Sequence, residues 1–323
     1  MTSVLITGIG SAPAISVVKG LRQQSELEVR IIGTDIHRSF EIAGASLCDA
    51  FYRVPKAVET DYISELLRIC EDEGVRVLFP IIDIELEVIA AHVNEFKERG
   101  IHVWLSDLET ILICGDKYHT YRFFSEHQFP TPQSWLPEEL EGKGVKLSYP
   151  LIVKPRHGLG SLDVFRVEDS LDLKHALRKV KKPVIQKYLE GREFTIDVVA
   201  DETSRLLSVV PRERIETKAG ICYKGRTVRD ERLIDYAGKI ARALKIKGHC
   251  NIQCRVDHGQ PIFFEVNPRF SGALPLTLAA GVNSPLILVK LALDRKLEQK
   301  YFDFRAGVYM TRYWEEVFCD EYA

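Results

Sequence analysis

Up to Leu105 the chain alternates short apolar runs with amphipathic stretches of helical length, and that rhythm leaves few folds open to it. Residues 4–7 read as a buried strand and 14–23 as a helix, with a second strand over 29–34. A helix over 62–73, with Asp61 as its cap, leads to a strand over 75–80. A helix over 83–99 and a strand over 101–105 complete the pattern. Strands joined through helices pair in parallel, so an α/β, doubly wound sheet is expected here.

Such sheets place ligands at the carboxyl ends of their strands. Two features fall there. Gly8-Ile9-Gly10-Ser11-Ala12-Pro13, followed by Asp35, has the outline of a dinucleotide loop, but Pro13 stands where the third glycine belongs and no dehydrogenase-like half follows. A structural turn, or contact with part of a substrate, remains open. Asp83 and Glu85 suit an amine or, equally, a solvated first helical turn.

A net charge of −2 argues against nucleic acid or an anionic membrane as partner. Met1-Thr2-Ser3-Val4 lacks a basic leader and no apolar run nears a membrane span, so a cytoplasmic location is expected. The seven cysteines include no CxxC, and Cys250 and Cys254 beside His249 read as buried thiols.

Asp116 caps a helix over 118–127, and Lys117 sits in its first turn, against the helix dipole. A strand over 150–155 carries Lys154 and runs into the loop holding Gly158, Gly160 and Ser161. A strand lysine followed by a glycine loop suits phosphate: amides fold over the anion and the ammonium neutralises it. After a helix over 171–181, the stretch Gln186-Lys187-Tyr188-Leu189 is an extended linker able to read adenine with its backbone, and Glu193 follows to accept from ribose.

In Phe263-Phe264-Glu265-Val266-Asn267-Pro268-Arg269, Glu265 and Asn267 are two apart on a strand and share a face. Their oxygens suit Mg²⁺. Pro268 ends the strand, and Arg269 can reach a phosphate or carboxylate.

Lys117, Lys154 with its glycine loop, the QKYL…GxE linker and FEVNPR occur in this order, and the set resembles the ATP-grasp fold over nearly the whole chain. The likeness is nearest to one ATP-binding half of the carbamoyl-phosphate synthase large subunit. It implies a pre-ATP-grasp domain (1–112), a lid subdomain (113–188), a metal-bearing subdomain (189–300) and a tail (301–323). It also implies ATP with Mg²⁺, or Mn²⁺, as cofactors. Lys117, Lys154 and residues 158–161 would meet the phosphates, Gln186 to Leu189 the adenine, and Glu193 the ribose. Gln253 would join Glu265 and Asn267 at the metal, and Arg269, Lys154 and Arg214 would act at the transferred phosphoryl group. The implied activity is ADP-forming ligation of a small carboxylate to an amine through an acyl phosphate. An ATP-binding sensor or a subunit of a larger ligase is the alternative, and a homodimer is left open.

Gln253 reaches Glu265 only if opposed hairpin positions sum to an even number, which requires an odd turn near 257–260 or a bulge. An odd turn is expected. Arg212, Arg214 and Lys218 read as a basic loop, and Asn283 as a helix cap.

Overall fold

The computed structural model describes residues 1–140, 146–158, 160 and 162–319. Its first sheet is parallel, in the order β3-β2-β1-β4-β5. The strands are β1 (Thr2–Ile6), β2 (Val29–Asp35), β3 (Ala50–Arg53), β4 (Val75–Phe79) and β5 (His102–Val103). Around them run α1 (Ala12–Arg22), α2 (Tyr62–Asp72), α3 (Asp83–Ala91) and α4 (Val93–Glu98). The expected helix over 83–99 breaks at His92, whose ring bonds the carbonyl of Val88. β3 lacks a sequence signal because it is a short, half-buried edge strand.

The Gly8–Pro13 loop is closed by its own chain. Asp35 accepts the Gly10 amide at 2.9 Å, and a side chain added to Gly10 would meet Ile42 at 3.0 Å. Ser11 caps α1 by accepting from Ala14 N. The cradle a pyrophosphate would need is thus occupied: the loop is held as a structural turn, and Pro13 at its end lines the cleft described below.

Helices α5 (Leu108–Gly115) and α6 (Lys117–Glu126) lead to a four-stranded antiparallel sheet, β6-β9-β7-β8. It is built from β6 (Ser134–Trp135), β7 (Leu151–Pro155), β8 (Phe165–Val167) and β9 (Pro183–Lys187), backed by α7 (Pro137–Leu140) and α8 (Ser170–Lys179). The third sheet, β14-β13-β10-β11-β12-β15, is also antiparallel. Its strands are β10 (Arg192–Ala200), β11 (Leu206–Lys218), β12 (Ile221–Thr227), β13 (Gly248–Asp257), β14 (Gln260–Asn267) and β15 (Tyr309–Thr311), and α9 (Glu231–Ala243) packs behind it.

The basic loop expected at 211–218 is instead the second half of β11. The strand escaped notice because its inward positions carry charge. Arg212 is 1% exposed and pairs with Asp197 on β10, a buried ion pair that breaks the apolar alternation of an ordinary strand. Helices α10 (Leu274–Ala279) and α11 (Ser284–Ala292) pack on α1, joining the first sheet to the third through one apolar core. Asn283 caps α11 through Leu286 N and also donates to Gly20 O. Cys250 and Cys254 are buried and their thiols pushed up by desolvation. No described helix is long and apolar enough to cross a membrane.

Gly44 lies flat on the Gly8–Pro13 loop: a Cβ there would stand 2.0 Å from the Ile9 carbonyl oxygen. Gly44→Ala is therefore expected to destabilise the protein by about 2 kcal/mol through overpacking, read as a lower urea midpoint with an unchanged slope.

Candidate active site

The β13–β14 hairpin turns on only two residues, His258 and Gly259, both at positive φ (45° and 79°). The odd turn is thus a misreading, and an unbroken ladder from this turn would set Gln253 against Phe264. A bulge corrects the parity. Cys254 pairs with Phe263, but the next pair is Gln253 with Glu265, leaving Phe264 unopposed. Asn251 then opposes Asn267, and four oxygen-bearing side chains share one corner of the sheet.

At that corner Asn267 Nδ2 donates to Glu265 Oε1 (3.0 Å) and Asn251 Oδ1 (3.3 Å), and Gln253 Nε2 reaches Glu265 Oε1 at 3.4 Å. Burial opposes ionisation of Glu265, yet Lys117, Lys154, the Asn267 amide and Arg269 outweigh it and hold the carboxyl below its ordinary value. One ionised carboxylate among side-chain amides fits Mg²⁺ that brings phosphate oxygens with it, better than a metal needing a full protein cage. Among the described residues no cluster of three His, Cys, Asp or Glu offers such a cage. Asn251 was overlooked in the sequence, although its position two residues before Gln253 on the same strand marks it.

Lys154 lies across the cleft on β7, 6% exposed. Its Nζ donates to Gln186 Oε1 at 2.9 Å and sits 5.5 Å from the Phe264 ring centre. Burial lowers its pKa to about 8, with Glu265 pulling it up and Lys117 pushing it further down. Lys117 donates to Gly158 O at 3.2 Å. Its placement depends on Asp116, which caps α6 and takes a forked ion pair from Arg156 at the end of β7. Arg156 adjoins the expected glycine loop but was assigned no role from sequence. Ser161 lies outside the described residues.

At the linker, the Lys187 amide is spent on Gln133 O and the Tyr188 amide on Pro150 O. Among the described residues, Leu189 N–H is the amide of 187–189 left for a ligand. Gln186 directs its side chain to Lys154 and Ser134, so it orients the lysine as well as lining the cleft. Glu193 is held between Arg214 (3.1 Å) and Arg255 (2.7 Å). Arg214 also reaches Gln253 Oε1 at 3.4 Å and Gly220 O at 2.7 Å, and its Nε has no partner among the described residues.

Arg269 forks onto Asp83 of α3 at 3.1 and 2.9 Å. Asp83 is therefore engaged by a guanidinium. Glu85 is 5% exposed, so the solvated reading fails: it takes bonds from Tyr62 and from the amides of Ile81 and Ile82. Lys218 stacks over Tyr223 and does not line the cleft. The residues assigned from sequence to ATP, the metal and phosphoryl transfer, where the structure describes them, line one cleft of about 830 Å³ between the second and third sheets, whereas Asp83, Glu85 and Lys218 do not.

Residues 179–315 match a family described as ATP-grasp in the biosynthetic pathway with Ter operon, and residues 4–104 match the PylC-like N-terminal domain. The carbamoyl phosphate synthase large chain of Thermoanaerobacter sp. (strain X514) is 28% identical over 291 residues, covering 79% of this chain and 26% of that protein. The large chain of Thermoanaerobacter pseudethanolicus is 30% identical over 293 residues, with the same coverage. This chain spans about a quarter of the length of these curated relatives. The L-amino acid ligase of Bacillus licheniformis superposes with a TM-score of 0.72 at 19% identity, over 96% of this chain and 78% of that one. The N5-carboxyaminoimidazole ribonucleotide synthetase of Thermotoga maritima gives 0.68 at 18%, over 92% and 77%. At such identities the likeness is one of fold.

Between pH 8 and the ordinary lysine value of 10.5 the unfolded chain binds more protons than the folded one at Lys154. The ligand-free protein should therefore gain stability from this group as pH rises through that window. A nuclear resonance titration of the Lys154 side chain is expected to show a midpoint near 8 in the native protein, and a lower one in Glu265→Gln, which loses the attracting charge. An unchanged midpoint would refute the electrostatic link between the two.

Proposed function

We propose that this chain, which belongs to the ATP-grasp superfamily, is an ATP-dependent, ADP-forming ligase that joins a small carboxylate to an amine through an acyl phosphate. Members of the superfamily are ATP-dependent carboxylate-amine ligases. The observation that carries the reading for this chain is the bulged register, which sets Gln253 against Glu265 and Asn251 against Asn267 at one corner of the cleft.

Glu265 and Asn267, with Gln253, would hold Mg²⁺ or Mn²⁺, which supplies charge neutralisation at the ATP phosphates. Lys154 and Lys117 add two ammonium groups from the opposite wall, and Gly158 and Gly160 line the same space. ATP phosphates would return Lys154 to full protonation, offsetting its burial. Leu189 offers its N–H to adenine. Glu193, pinned by two arginines, offers its carboxylate edge to ribose.

A substrate carboxylate oxygen attacks the γ-phosphorus, the bond to the bridging oxygen breaks, and ADP leaves. Arg269 and Arg214 face the charge that gathers on the transferred group. An amine then attacks the acyl carbon, phosphate leaves with the acyl C–O bond pair, and the ammonium proton passes to solvent or phosphate. No side-chain nucleophile is required; positioning and preorganised charge supply the rate.

ADP release from Mg-ATP, measured with pools of carboxylates and amines, tests this. Stimulated release is expected in the native protein and a fall of roughly 100-fold or more in Glu265→Ala, the scale of losing one preorganised charge-stabilising group. ATP binding without stimulation by any pool would favour a nucleotide sensor instead. Arg269→Lys is expected to lower kcat by about 100-fold with little change in KM for ATP, because a lysine cannot reproduce the fork; a pure KM effect would move Arg269 to ground-state binding.

A further inference from the structure

Beyond Arg269 the cleft continues toward the first sheet, and its walls change character. A Cβ placed on Gly272 would lie 3.7 Å from both Ala12 and Ile221 and 3.9 Å from Pro13, so the bare glycine leaves room for about one methyl group between these walls. Ala273 and Cys222 line the same cleft. The walls here are small and apolar.

The polar groups at this end are cationic or neutral. Arg212 donates to Ala273 O (3.0 Å) and Ser271 Oγ (2.8 Å), and its Nε has no partner among the described residues. Arg312, half-buried, spends its donors on two carbonyls, those of Cys222 (3.0 Å) and Gly272, and has no carboxylate partner among the described residues. Burial lowers its pKa, with Cys222 opposing and Arg212 adding to the fall. The neighbouring carboxylates are committed elsewhere. Asp83 is forked by Arg269. Asp197 is wholly buried, with one oxygen on Arg212 and the other accepting from Thr277 at 2.6 Å, and His249 lies 3.6 Å away. Glu216, on the exposed arm of the hairpin, pairs with Lys224. An ammonium group entering this end would lose water and find, among the described residues of this wall, no carboxylate free of a cationic partner, with the Arg312 guanidinium standing behind the Cys222 and Gly272 carbonyls.

Resting on the ligase reading, we propose that this end is the chamber for the acyl substrate and that it selects a small carboxylic acid with an apolar body and no α-ammonium group. The carboxylate points back to Arg269 and the phosphates; the apolar body lies among Pro13, Ile221 and Gly272.

Hydroxylamine in place of the natural amine makes the test independent of the acceptor. It attacks the acyl phosphate to give a hydroxamate and inorganic phosphate, read as the coloured ferric complex. Matched acids with and without the amine are compared at saturating Mg-ATP: propionate and alanine, isovalerate and valine, 3-phenylpropionate and phenylalanine, succinate and aspartate. The amine-free acid is expected to form hydroxamate at least roughly tenfold faster wherever a skeleton is accepted, with an apolar skeleton ahead of succinate. Amino acids matching or exceeding their deaminated partners would overturn the proposal while leaving the ligase reading intact, and so would succinate leading the series. Ile221→Asp, at a partly exposed position, puts a carboxylate at the chamber wall and is expected to cut the preference by about tenfold; an unchanged preference would overturn the location. No hydroxamate from any acid would count against the ligase reading itself, and the chamber would fall with it.

Discussion

The chemistry of the cleft hangs on one unpaired residue. With a two-residue turn at His258 and Gly259, strand geometry alone would point Gln253 and Glu265 to opposite faces of the sheet. Phe264 absorbs the mismatch, and everything toward the end of β14 inherits the corrected face: Glu265, Asn267 and the exit that aims Arg269 at the cleft. The bulged ring is not wasted, for it forms part of the surface beneath the Lys154 ammonium. A local irregularity worth little in stability thus decides which face of the sheet carries the acidic corner.

The second governing feature is charge held under tension. Lys154 is buried at a cost visible in its lowered pKa, and Glu265 is kept ionised partly by that same lysine. They form no direct ion pair with each other, and both line the cleft. Beneath them the Asp197–Arg212 pair is closed and fully desolvated, and it fastens the 271–273 turn from below. Lys154 and Glu265 thus meet the cleft without an opposite charge in contact, while the Asp197–Arg212 pair braces its wall.

Much of this was legible in the residues. The strand–helix rhythm predicted the parallel sheet, and the spacing of Glu265 and Asn267 predicted a shared face. The order of weak motifs brought distant segments to one cleft. What escaped was non-local. Charged inward positions on β11 look like a loop until Asp197 is seen on the neighbouring strand, diagonal to Arg212, and a bulge leaves no mark that distinguishes it from an odd turn. Asp83 and Arg156 gain meaning only from guanidinium and carboxylate partners far along the chain.

The fork between Asp83 and Arg269 joins positions 186 apart, one on the helix after β4 and the other past the end of β14. An N-terminal sheet borrowed from another protein would therefore have to bring an acid to the start of its own third helix. Without one, a chimera could fold through the α1–α10–α11 core and still leave Arg269 with no fixed aim. The two halves of the chain are interchangeable parts only in so far as that one carboxylate travels with them.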